Sequence, residues 1–253
     1  MLFLVDVGNT NIVLAVHDGN SYLHTWRIKS DINKTSDEYY VTLKMLFESS
    51  GLKPDVITKA IVSSVVPNLT LSVQKTIYKI FNVEPIVVSN NTECGLVKES
   101  IPVELGSDLL CNMARSHQLF PHDSVMTIDF GTALTFSTVN EKGEVKGVAI
   151  LPGLITAVNS LFSSTAQLPQ VELKLPTTAL GQNSMDSIKA GIMYGYAGVV
   201  DKMIKETEKE LSISLKVIVT GGLSTTISPL LPRVDLLDKS HTLNGLLYIS
   251  SLH

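Results

Sequence analysis

Apolar and polar positions alternate along the chain in a definite order. Residues 2–6, LFLVD, run apolar into a carboxylate and predict a strand. IVLAVHDG (12–19) predicts a second strand, closed by the turn pair Asp18-Gly19. SYLHTWRI (21–28) alternates and predicts a third. Thr35 followed by Glu38 forms a capping box, and Tyr40, Leu43 and Phe47 recur at i, i+3 and i+7, so residues 36–50 predict an amphipathic helix. AIVSSVVP (60–67) predicts a buried strand stopping at Pro67, residues 69–81 a helix, and EPIVVS (84–89) another strand.

Near residue 125 the pattern starts again. SVMTIDFG (124–131) repeats the opening FLVDVG: an apolar run, Asp, one apolar residue, Gly. ALTFSTVNEKG (133–143) again leads a strand into a turn, with Gly143 closing it, and EVKGVAI (144–150) is again a third strand. Asp6 and Asp129 stand about half a chain apart. One Asp-x-Gly is ordinary turn chemistry, but two copies at the same place in matching meanders point to an internal duplication. The expected organisation is two domains, 1–118 and 119–253. A third strand-to-glycine junction, KVIVTGGLS (216–224), comes late. Before it, residues 184–211 predict a long helix with Ser184 as its N-cap. Gly191, Gly195 and Gly198 lie inside that helix, each costing up to about 1 kcal/mol relative to Ala. They predict close packing on that face, by another helix or a second subunit.

Composition narrows the class. At 253 residues, 44% hydrophobic and 17% charged, the chain is core-rich and globular. A net charge of −4 with no basic run argues against nucleic acid. Cys94 and Cys111 fit no metal-ligand or CxxC pattern, and reduced thiols in a cytoplasmic protein are expected. No signal peptide is expected. Residues 147–171 carry no charge, but two prolines and several polar residues argue against a membrane span and for buried structure near a site.

Loops after strand ends are where α/β proteins bind ligands. Gly8 and Gly131 would let a ligand approach the backbone. Asn9, Thr10, Asn11 and Thr132 offer N–H and hydroxyl donors suited to phosphate oxygens. Asp6 and Asp129 would repel phosphate, so they make sense beside cations. Gly221-Gly222 suits an adenosine-side wall. The duplicated Asp-x-Gly with a late Gly-Gly resembles the actin/hexokinase/Hsp70 superfamily. That resemblance implies an α/β fold of two duplicated ribonuclease-H-like (actin/hexokinase-type) domains with a nucleotide cleft between them.

The order DVGNTNIVLAV, WRI (26–28), TSDEYY (35–40), VSSVVP (62–67), LGSDLLCN (105–112), IDFGTALTF (128–136), ILPGL (150–154), LGQNSMDSI (180–188) and TGGLS (220–224) resembles type III pantothenate kinases nearly end to end. The resemblance implies ATP-dependent phosphorylation of pantothenate to 4'-phosphopantothenate, the first step of coenzyme A biosynthesis. It implies ATP with Mg2+ or another divalent metal, K+ or NH4+, and a cytoplasmic homodimer. Asp108 inherits the catalytic base. Asp6, Val7, Gly8, Asn9, Thr10, Asn11, Ile12, Val13 and Thr132 inherit ATP binding, with Asp6 at the Mg–phosphate end. Asp129 inherits the monovalent cation. Gly106, Ser107, Asp108, Leu109 and Ser184 inherit the substrate side.

The departures fall on that substrate side. The family places arginine where Leu109 stands, and tyrosine ahead of the Pro–Leu–Gly stretch where Glu99 and Ser100 precede Pro102. Ser184 replaces a threonine, and Gly147-Val148 a Gly-Gly. Losing one charge-assisted hydrogen bond costs on the order of 1.5–3 kcal/mol. Two alternatives therefore stand beside the pantothenate kinase: a nucleotide-binding regulatory protein, and a diverged enzyme, such as a kinase for another small alcohol or a polyphosphate hydrolase.

Overall fold

A computed structural model describes residues 1–164, 169 and 171–253. The chain forms two compact units: Met1–Arg115 with Thr242–His253, and Ser116–His241.

The first unit opens with β1 (Leu2–Val7), β2 (Asn11–His17) and β3 (Tyr22–Lys29), an antiparallel meander. Helix α1 (Ser36–Ser50) follows, capped as expected: Thr35 Oγ1 accepts from the Glu38 N–H, and Glu38 accepts from the Thr35 N–H at 2.8 Å. Its buried residues are Tyr39, Leu43 and Phe47. Tyr39, not Tyr40, thus faces the core. An i, i+4, i+8 stripe follows the 3.6-residue period as well as i, i+3, i+7 does, and the ring of Tyr40 instead meets the Lys79 ammonium at 4.6 Å. Then come β4 (Lys59–Ser64), α2 (Pro67–Phe81), β5 (Ile86–Val87) and α3 (Ser107–Leu119). Helix α2 begins at Pro67, ahead of the expected 69, because proline is well placed in a first helical turn. Strand order is β3-β2-β1-β4-β5, with β4 and β5 parallel to β1. Phe3, Phe47 and Phe81 pack edge-on or tilted at its centre, with ring centroids 4.9–5.8 Å apart.

The second unit repeats this plan. β6 (Ser124–Phe130), β7 (Ala133–Val139) and β8 (Val145–Pro152) form its meander. Helices α4 (Leu154–Ser164) and α5 (Ser184–Leu211), strand β9 (Leu215–Thr220), helix α6 (Ser224–Ile227) and strand β10 (Leu236–Leu237) complete it. The sheet order β10-β9-β6-β7-β8 is that of the first sheet, strand for strand. The duplication legible in three strands therefore extends to five. The N-cap of α5 is Asn183, whose side chain accepts the Asp186 N–H at 2.9 Å, and Ser184 is the first helical residue. Asn and Ser cap about equally well, so their adjacency hid the boundary. The uncharged stretch is less buried than expected: on α4 only Leu154 and Val158 are buried, while Ile155 and Phe162 are exposed. Residues 165–168 and 170 of that stretch lie outside the described residues.

The last helix, α7 (His241–Ser251), closes the chain. A division at 118/119 assigns it to the second half, whereas Thr242–His253 lies in the first unit. Its side chains account for this. Tyr22 Oη donates to Asn244 at 2.7 Å, Thr242 Oγ1 to Asn112 at 2.9 Å, and Lys59 Nζ to the Ser250 carbonyl at 2.6 Å. No helix among the described residues is long and apolar enough to cross a membrane.

Candidate functional site

In each unit, the turn after the first strand carries the sequence-predicted residues. Asp6 is the penultimate residue of β1, in register with Val13 on β2 and Ser63 on β4. It is partly exposed, while Val7 and Ile12 are buried beneath the turn and Val13 is half-buried. The turn itself is Gly8 to Asn11. The Gly8 N–H donates to the Asn11 carbonyl at 3.0 Å, and Asn9 and Thr10 stand exposed. Ser30, the residue just after β3, braces it: its N–H donates to the Thr10 carbonyl at 3.0 Å and its Oγ to the Gly8 carbonyl at 2.5 Å. Nothing in the local pattern around Ser30 announced that role, because the contact spans the hairpin.

Helix α3 brings the second carboxylate to the same place. The Gly106 carbonyl accepts from the Leu110 N–H at 3.0 Å, which starts the helix, and Asp108 sits in its first turn. Asp108 Oδ1 accepts from the Leu109 N–H at 2.7 Å. Burial pushes the Asp108 carboxyl above the ordinary carboxylate range, and that backbone hydrogen bond only partly opposes it. Ser107 is buried, and its hydroxyl is tied to Ser63 Oγ at 3.0 Å and to the Ser64 N–H at 2.8 Å. It clamps α3 to the end of β4. Leu109 is also buried.

Asp6 is in register with Ser63, which the Ser107 hydroxyl ties to the start of α3, and the charges of Asp6 and Asp108 are both felt at Cys111. Burial drives its thiol pKa well up; the negative charges of Asp6 and Asp108 and the nearby Cys94 add to this, and a hydrogen bond with Ser63 opposes it. Asp6 and Asp108, a hundred residues apart in the chain, thus act on one buried thiol. Both cysteines are free and buried, as expected of reduced thiols.

The second unit holds the matching turn. Asp129 is penultimate on β6, in register with Thr135 on β7 and Thr220 on β9. The Gly131 N–H donates to the Ala133 carbonyl at 3.1 Å, closing a turn one residue shorter than Gly8 to Asn11. The Thr132 carbonyl accepts from the Gly153 N–H at 3.0 Å and from Thr156 Oγ1 at 2.7 Å. A side chain on Gly153 would overlap the Gly131 and Thr132 carbonyls, which explains the glycine after Pro152. Gly221 turns with φ of 96°, and a Cβ there would strike the Asp129 carboxylate. Gly222 has open space where a side chain would be.

Ser184 lies elsewhere in this unit. It lines a cavity of about 570 Å3 with Asn183, Ser187, Ile188 and Gly191. Among the described residues, no group of three or more His, Cys, Asp or Glu could hold a metal ion. A divalent cation here would rest on one carboxylate and on ligand phosphates, the mode that Mg2+ favours.

Comparisons with known proteins agree with this geometry. The family model of type III pantothenate kinase matches residues 2–206. A type III pantothenate kinase from Geotalea daltonii is 39% identical over 247 residues, covering 97% of this chain and 96% of its own. Among solved structures, a conserved putative Baf family transcriptional activator from Campylobacter jejuni superposes with a TM-score of 0.61 at 18% identity, covering 99% and 98% of the two chains. A putative 2-dehydro-3-deoxygalactonokinase from Sinorhizobium meliloti gives 0.61 at 12% identity, covering 100% and 96%. At such identities the structures speak for the fold alone, a two-domain α/β fold. Sequence carries the assignment further: with that identity across nearly its whole length, the chain belongs to the type III pantothenate kinase family.

Proposed function

We propose that this chain transfers the γ-phosphoryl group of ATP to the primary hydroxyl of pantothenate, as the name of its relatives indicates. The observation that carries the reading is that Asp6, in register with Ser63 on β4, is brought toward Asp108 by the 3.0 Å hydrogen bond between Ser63 and Ser107, the residue before Asp108. One carboxylate borders an exposed polar turn suited to phosphates. The other is half-buried in the first turn of α3, and desolvation raises its pKa, the direction in which a general base is tuned. Asp108 takes the hydroxyl proton as the oxygen attacks. The amides and hydroxyls of Asn9, Thr10, Asn11 and Thr132 bind phosphate oxygens. Asp6, together with the phosphates, would hold Mg2+, and the ion would supply charge neutralisation at the transferred group. Asp129 is a single carboxylate set against the Gly221 backbone, a ligand suited to K+ or NH4+. Gly106 and Leu109 border the base, Ser107 positions it, and Ser184 contributes to substrate binding from the α5 cavity.

The chain acts as a homodimer in the cytoplasm on this reading. Gly191, Tyr194, Gly195 and Gly198 recur on one exposed face of α5, and a Cβ added at any of the three glycines meets no described atom within 4 Å. The packing expected over those glycines is thus not supplied by the described residues of this chain, and a second copy would supply it. Met185 on α5 and Ile155 and Phe162 on α4 add exposed apolar surface to the same unit.

The regulatory alternative is less favoured, because 39% identity to a named kinase spans 97% of the chain. A coupled ADP-release assay with ATP, Mg2+, K+ and pantothenate tests the proposal. Pantothenate-dependent turnover is expected. ATP binding without turnover, or turnover indifferent to pantothenate, would overturn it.

A further inference from the structure

In both units, the residue that follows the third strand reaches back to the turn that follows the first. Ser30 follows β3 and its N–H donates to the Thr10 carbonyl at 3.0 Å. Gly153 follows β8 and its N–H donates to the Thr132 carbonyl, also at 3.0 Å. Each brace has a hydroxyl as well. Ser30 Oγ donates to the Gly8 carbonyl at 2.5 Å, and Thr156 Oγ1, in the first turn of α4, donates to the Thr132 carbonyl at 2.7 Å. The two hydroxyls come from different residue types at different offsets from the strand, yet each ends on a carbonyl of the equivalent turn.

We propose that Ser30 and Thr156 are positioning residues for nucleotide binding, their hydroxyls holding turn carbonyls inward so that the turn amides face the phosphates. The inference rests on the reading of these turns as phosphate-binding. Its physical basis is the peptide group. In a trans peptide the C=O and the following N–H point in opposite directions, and no cis peptide occurs among the described residues. Fixing the Gly8 carbonyl on Ser30 therefore turns the Asn9 N–H away from β3, toward the exposed side of the turn. Fixing the Thr132 carbonyl does the same for the Ala133 N–H. A hydrogen bond to a carbonyl also polarises its peptide, which makes the N–H on the other side a stronger donor. The backbone bonds from Ser30 and Gly153 preserve the fold of each turn without the hydroxyls. The hydroxyls thus act on amide orientation and donor strength more than on stability.

The test uses the full chain and four variants: Ser30→Ala, Ser30→Thr, Thr156→Val and Thr156→Ser. MgATP affinity by titration calorimetry, the KM values for ATP and pantothenate, and the melting temperature are measured for each. Ser30→Ala and Thr156→Val are expected to weaken ATP binding roughly three- to ten-fold, the loss of one hydrogen bond. The pantothenate KM and the melting temperature should stay at wild-type values, and Ser30→Thr and Thr156→Ser should restore ATP binding. Thr156 is exposed, so its variant keeps the test alive if Ser30→Ala does not fold. Unchanged ATP affinity in Thr156→Val and in a folded Ser30→Ala overturns the proposal. So does a parallel rise of both KM values with a lower melting temperature, the mark of a purely structural role. A wild-type chain that does not bind ATP overturns the phosphate reading itself, a result distinct from equal binding by wild type and variants.

Discussion

Asp129 on β6 stands in register with Thr220 on β9, and the next residue, Gly221, turns with φ of 96° so that a Cβ there would strike the Asp129 carboxylate. Glycine is demanded twice at this point, once by the left-handed backbone and once by the carboxylate beside it. Gly221→Ala should therefore destabilise the chain by more than about 2 kcal/mol, read as a shift of the urea midpoint. Gly222→Ala, with open space at its Cβ, should leave the midpoint nearly unchanged. Equal effects of the two substitutions would refute the account of this turn.

Asp108 should be costly to the fold and necessary to the reaction. Asp108→Asn keeps an acceptor for the Leu109 N–H and removes the base. A loss of general-base catalysis amounts to roughly 10²–10⁴-fold in kcat. Turnover near wild type would sink the assignment.

The pH dependence of stability follows from the same carboxyl. Its pKa is raised in the native state, so the native chain binds that proton more tightly than the unfolded chain. Below the ordinary carboxylate range both states are protonated and the group contributes no difference. As pH rises through the raised native value, the partly desolvated charge lowers stability. Asp108→Asn should therefore melt at or above the wild-type temperature at pH 7, and the gap should close in acid. A variant less stable than wild type at pH 7 contradicts this.

Helix α1 offers a control remote from the chemistry. Thr35→Ala removes one half of a complete capping box and should cost about 1 kcal/mol. Urea unfolding reads that cost, while kcat and both KM values should not move.

The open face of α5 makes a prediction with opposite signs for two states of assembly. In an isolated chain, Gly195→Ala should stabilise the helix by up to about 1 kcal/mol, because the new methyl meets nothing. In a homodimer packed on this face, Gly195→Glu should give a monomer in sedimentation velocity. A Gly195→Glu chain that remains dimeric moves the interface elsewhere.

Much of this molecule was legible along the chain. Local rules set the capping box of α1, the Asp18-Gly19 and Gly143 turns, both meanders and the full extent of α5. Each depends on residues a few positions apart, where period and turn chemistry act directly. Boundaries slipped where two neighbours serve equally well, as Asn183 and Ser184 do at a cap, or Tyr39 and Tyr40 on a helix face. The repeated Asp-x-Gly also pointed to both turns, because a duplicated strand end leaves a duplicated motif.

Tertiary structure alone decided what the pattern could not encode. The meeting of Asp6 and Asp108 at Cys111 depends on a parallel β1–β4 ladder and on Ser107 clamping α3 to the end of β4. Ser30 and Thr156 look like ordinary polar residues until the sheets fold them against their turns. Helix α7 joins the first unit through Tyr22, Asn112 and Lys59, contacts that no local rule predicts. Periodicity and turn signals are short-range and survive in a linear reading. Desolvation, register and bracing hydrogen bonds arise only when distant segments share a volume.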